Sequence, residues 1–154
     1  TVFALEFVGL SARLAGTVVQ IDAVRYGQRL RSVSGADIAR SRGAFVVVNA
    51  SVYARDDGAT SVGVTLENGD RVYYPGGWGM TSFTPPLGFR QSADMVFEID
   101  PRDLNEDLAA RISPRSFLRG FTDEVQVNLA LPASGASLSA QVVEVDPSLR
   151  SEAP

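Results

Sequence analysis

Carboxylates and guanidinium groups make up the charged chemistry of this chain. Its 18 Asp and Glu face 14 basic residues that are all Arg, and it contains no His, no Cys and no Lys. General acid–base work near neutral pH draws on His, Lys, Cys or a tuned carboxylate, and only the last is present. Two carboxylates facing each other about 5–10 Å apart across a groove would suit glycoside hydrolysis. The close acidic sets, Asp56 with Asp57 and Glu67 with Asp70, fall instead on turns, where such residues serve turn geometry and solvation. No Gly-x-Ser-x-Gly occurs, and no imidazole exists to activate Ser51 or any other hydroxyl. The expectation is a protein that is not an enzyme.

An oxygen-rich set, Asp100, Asp103, Asn105, Glu106 and Asp107, could suit a hard cation such as Ca²⁺. It lacks the Asp-x-Asp-x-Asp-Gly spacing of a calcium loop, and acids at the start of a helix explain the same residues. No metal and no cofactor are expected. Asn49-Ala50-Ser51 matches a glycosylation acceptor, but it lies mid-strand and reads as coincidence.

The segment from Tyr73 to Phe89 has a different character. It holds Tyr73, Tyr74, Trp78 (the only Trp), Met80, Phe83 and Phe89 among Gly and Pro, with no charge between Arg71 and Arg90. Aromatic and Met side chains on a long inter-strand loop are the usual anchors of an interface. The same residues would also serve as a lid over an open end of the fold, since large apolar patches are rare on monomers. These six are the candidate binding residues. Arg25, Arg29 and Arg31 form a close basic set, and the reading preferred for them is protection of an edge strand.

Period-two alternation recurs through most of the chain and supplies the elements that would position these groups. Ala44, Val46, Val48, Ala50, Val52 and Ala54 form one wholly apolar face, against a mixed face of Phe45, Val47, Asn49, Ser51 and Tyr53. Val19, Ile21 and Ala23, then Met95, Phe97 and Ile99, then Val125, Val127, Leu129 and Leu131 repeat the pattern. So do Phe3, Leu5 and Phe7 near the start, and Val143 and Val145 near the end. One-sided alternation belongs to antiparallel sheets with one wet face. At Asn68-Gly69 a three-residue loop, Glu67-Asn68-Gly69 with Gly69 left-handed, pairs Val64 with Val72 and keeps Arg71 off the apolar face. Asp100-Pro101 followed by Leu104, Leu108 and Ile112 predicts one short helix or crossover turn, and Ala36 to Arg40 a single turn. The fold expected is an all-β, immunoglobulin-like antiparallel β-sandwich of about seven to nine strands with at most one short helix.

The strand FVVVNASVYA, the Asp/Gly turn after it, the hairpin ending NGDRVYYP and the later strand MVFEIDP resemble telokin-like, immunoglobulin-fold domains of actinobacterial exported proteins. The resemblance covers residues 16 to 131. It implies an exported, cell-envelope location, lipidated or membrane-anchored, and carries no catalytic residue across. The extra strand-like ends and the long Pro/Gly loop depart from that family. Function then reads as a non-catalytic interaction or binding module for a protein or apolar ligand, with a structural spacer or a carboxylate hydrolase as alternatives.

A net charge of −4 with dispersed Arg argues against nucleic acid, and no apolar run is long enough to span a bilayer. Residues 1 to 146 read as one domain and 147 to 154 as a frayed tail. Thr1 opens an apolar stretch interrupted by Glu6, which is no signal peptide; a trimmed chain with an upstream anchor and simple tag removal both fit it.

Overall fold

The computed structural model describes residues 3–14, 17–54, 61–86, 88–115, 125–129, 142–146 and 150–152. The Asp56-Asp57-Gly58 turn and Leu131 lie outside them. Two sheets face each other. The larger, six-stranded sheet contains β1 (Phe3–Leu14), β2 (Thr17–Ser32), β3 (Asp37–Ala54), β6 (Arg90–Ile99) and β10 (Arg150–Glu152) in that spatial order, with β9 (Val142–Val145) beside β2. The smaller sheet runs β5 (Arg71–Tyr73), β4 (Ser61–Asn68), β7 (Ala109–Arg115), β8 (Val125–Asn128). The chain forms the expected all-β sandwich.

Alternation explains the core between the layers. Ala44, Val46, Val48, Ala50 and Val52 of β3 meet Met95, Phe97 and Ile99 of β6 and, from the opposite sheet, Val62, Val64, Leu66, Ala110 and Ile112. Leu129 joins them, fully buried. The strand β2 keeps the pattern only as far as Ile21. A bulge there leaves Ile21 opposite Ala50 and Ala23 opposite Asn49, so the inward set continues as Val24 and Tyr26 rather than Ala23. A bulge adds one residue and reverses the parity of everything after it.

Four expectations are corrected by tertiary context. The mixed face of β3 is dry at one end. Phe45 and Val47 join Leu30, Val96, Val143 and Val145 in a second small core, with Ala39 and Trp78 packed against it. The continuous run Phe45-Val46-Val47-Val48 is therefore that of a strand buried on both faces. The pairing of β9 with β2 is parallel, in an otherwise antiparallel sheet. Arg25, Arg29 and Arg31 are not on an edge strand, because β3 flanks β2 on one side and β1 and β9 pair with it along the rest. The tail is not simply frayed: Arg150–Glu152 pair with Arg90, Gln91 and Ser92 of β6.

Three local expectations change as well. The β4–β5 register sets Leu66 opposite Tyr73 and Asn68 opposite Arg71, so the loop is Gly69-Asp70. Gly69 does take positive φ, +60°. Arg71 is tolerated there because it lies past the end of the apolar layer, where Asp100 and Asp103 meet its guanidinium at 3.1 and 3.4 Å. The helix predicted after Asp100 shortens to one 3-10 turn, Pro101–Asp103, capped by Asp100. Leu104, Leu108 and Ile112 are all buried, but Ile112 sits on a strand. The residues Ala36 to Arg40 mostly belong to β3, the turn being Ser32 to Ala36.

Candidate functional site

The stretch from Gly76 to Phe83 straps one side of the sandwich shut. Its backbone follows β6 beyond the stretch paired with β10, with Gly76 N–H donating to Val96 O at 2.7 Å and Met80 N–H to Asp94 O at 3.0 Å. It then crosses to the other sheet, where Phe83 and Val62 exchange both backbone hydrogen bonds at 2.7 and 2.8 Å. A Cβ at Gly79 would stand 2.5 Å from Asp94 O, so only glycine lets the strap lie this close to the strand. A Cβ at Gly76 would stand 2.5 Å from the Trp78 ring, so a larger residue there would displace the indole.

The six candidate binding residues separate accordingly. Phe83 is fully buried in the main core. Tyr73 and Met80 are half-buried and pack on that core from its rim. Trp78 lies on the second core, edge-on to Phe45 with ring centroids 5.2 Å apart. Only Tyr74, 71% exposed, and Phe89, 38% exposed, turn outward. Trp78→Ala is expected to cost about 2 kcal/mol, less than truncation of a fully buried aromatic, measured by urea unfolding.

Tyr73 anchors a polar cluster at the rim. Its hydroxyl donates to Asp103 Oδ2, and Asn68 Nδ2 donates to Asp103 O at 3.0 Å and to Asn105 Oδ1 at 3.1 Å. Burial, then the Asp103 carboxylate, pushes the Tyr73 phenol above its ordinary value. Asp100 is held well below the usual carboxylate range by the Arg102 side chain, by the Arg102 backbone N–H and, at longer reach, by Arg71. These acids are engaged in structure, and among the described residues no three His, Cys, Asp or Glu side chains are placed to hold one metal ion.

The depressed Asp100 pKa sets a sign. Its contribution to stability is present above the unfolded value of 3.8 and is lost as pH falls through the lower folded value. Asp100→Asn should therefore lower the melting temperature modestly between about pH 5 and 7, where the contribution is present, and flatten its further loss below about pH 4. Melting curves across that range for both proteins measure it.

A second polar group went unrecognised in the sequence. On the outer face of the larger sheet, a recess of about 150 Å³ is lined by Asp22, Asn49, Ser51, Ser92, Ala93, Asp94 and Asp146. Strand register builds it: Asn49 stands opposite Asp94, and Ser51 opposite Ser92. The β2 bulge supplies Asp22, whose Oδ2 accepts from Ser51 Oγ at 2.5 Å. The Ser51 and Ser92 hydroxyls are 3.2 Å apart. Asp94, 3% exposed, accepts from Arg25 Nη2, Asn49 Nδ2 and the Asp146 N–H, each at 2.8 Å. Asp22 and Asp94 against the one Arg25 guanidinium leave these groups net negative, a setting for a cationic or hydroxyl-rich group of a ligand. The available signal was Asn49 and Ser51, polar positions on a strand that is otherwise apolar.

Comparison with protein-family models, with curated protein sequences and with solved structures finds no match for this chain.

Proposed function

We propose that this chain is a non-catalytic binding module, exported to the cell envelope as the resemblance to telokin-like domains implies. The recess on the outer sheet face is the observation that carries this reading. It is a polar concavity, and Asp22 and Asp94 favour a positively charged group of a ligand or partner. Tyr74 and Phe89 are the two loop residues exposed enough to add apolar contact with a protein partner. Hydrolysis by the same carboxylates fits less well. Asp94 is committed to three hydrogen bonds, which leaves it engaged in structure rather than available as one of a facing catalytic pair. The inward packing of Phe83 and Trp78 favours the spacer as the second reading.

The test is an NMR titration with arginine methyl ester, using glucose as an uncharged probe. Binding by a cationic group predicts shifts at the backbone amides of Ser51, Ser92 and Asp146 with the ester, abolished by Asp22→Asn. Shifts with glucose alone would move the ligand class to a polyol. Silence with both would leave the spacer.

A further inference from the structure

From the arm formed by the far ends of β2 and β3, we infer that this protein docks on anionic lipid surfaces. Pairing of β3 with β6 begins at Ala44, whereas β2 and β3 remain paired from Arg29 and Arg40 out to Arg31 and Asp37. Among the described residues no strand pairs with Asp37 to Arg42 on the side away from β2. The β3 side of this hairpin therefore extends beyond its pairing with β6, while β9 flanks Arg29 to Ser32 on the β2 side, and the hairpin ends in the turn of Ser32 to Ala36.

Charge on this arm opposes that of the rest of the molecule. It carries Arg29, Arg31, Arg40 and Arg42, against Asp37 and, in register on β9, Glu144, in a chain whose net charge is −4. Arg29 and Arg40 are direct cross-strand partners, an arrangement that destabilises a sheet unless an anion answers it. The Asp37 carboxylate is shared by Arg29 at 3.0 Å and Arg31 at 3.6 Å. Arg40 and Arg42 are exposed and make no ion pair with any described residue. The opposite face is closed, since Leu30 and Ala39 pack into the second core.

The tip adds a different chemistry. Val33 is 57% exposed and Ile38 41% exposed, among the most exposed large apolar side chains described. Val33 lies in the turn past the end of β2, beyond both Arg29 and Arg31, and Ile38 lies roughly 7 Å of strand beyond Arg40 at about 3.3 Å per residue. Interfacial elements bury their apolar face about 5–10 Å into the headgroup and acyl boundary, with cations at phosphate depth. Aliphatics leading and Arg following is the order that geometry asks for, and long Arg side chains can reach back toward water. Edge protection alone would be served by charge and does not call for bare aliphatics at the turn. A second copy of the chain is a poorer match. Its acidic recess could accept a guanidinium, but its polar lining offers Val33 and Ile38 no apolar socket.

Co-sedimentation of the full chain with vesicles tests this. Vesicles of phosphatidylcholine containing a minority of phosphatidylglycerol should retain the protein, and vesicles of phosphatidylcholine alone should not. Each neutralised Arg should weaken binding about fivefold, so Arg40→Gln with Arg42→Gln should lose about 25-fold. Raising salt from about 0.1 M to about 1 M should release the protein, since the screening length falls from about 10 Å to about 3 Å. Val33→Ser with Ile38→Thr should weaken binding without altering the melting temperature, because both side chains are exposed. Equal retention by neutral vesicles, no retention by either, or retention unchanged in the Arg variant would overturn the inference. Lipid-free self-association that the Arg variant abolishes would overturn it too, in favour of a second copy.

Discussion

Val48→Asp is expected to leave no folded protein at neutral pH. Val48 is fully buried in the main core, with Val24 and Met95 as its cross-strand neighbours. An ionised carboxylate at this position meets no cation and no described donor beyond the ladder already paired. Several kcal/mol is the cost of such a buried, unpaired charge, comparable to the roughly 5–15 kcal/mol that holds a domain together. Val48→Ala separates charge from volume. It should cost only about 2 kcal/mol and retain the strand-rich circular dichroism spectrum. If Val48→Asp melts like the parent protein, the assignment of this face to the core fails.

Phe83→Ala is expected to cost about 4 kcal/mol, the range for truncating a fully buried aromatic side chain. This residue holds the strap to the smaller sheet through its backbone exchange with Val62 and to the core through its ring. Its removal should loosen the segment near Met80 and Thr84 before the rest unfolds. Hydrogen exchange would then show lost protection at Met80 N–H and Phe83 N–H, both of which donate to backbone carbonyls. A loss of less than 1 kcal/mol with protection intact would show that the strap is held by its backbone bonds and not by the ring.

The contrast between Phe83 and Tyr74 shows where pattern reading runs out. Both stand in one uncharged aromatic loop, and nothing local separates the residue that enters the core from the one that faces water. The difference comes from the partner across the gap. Val62 on a separate strand receives Phe83, and no described strand pairs with Tyr74. Register at Gly69 has the same lesson. Arg71 was placed off the apolar face by hydrophobic logic, yet it stands on that face, at the rim where Asp100 and Asp103 neutralise it.

The amino-acid pattern by itself determined the all-β sandwich, the inward faces of β3, β4 and β6, and the left-handed glycine at the hairpin. These follow from periodicity and φ preference, which act over a few residues. Only the tertiary structure decided the recess, the second core and the strap. Asp94 gathers Arg25, Asn49 and the Asp146 N–H from 69, 45 and 52 residues away. Asp22 joins them through a bulge that alternation does not record. Side-chain alternation says which residues share a face of one strand, but the register between strands decides which polar groups on that face become neighbours.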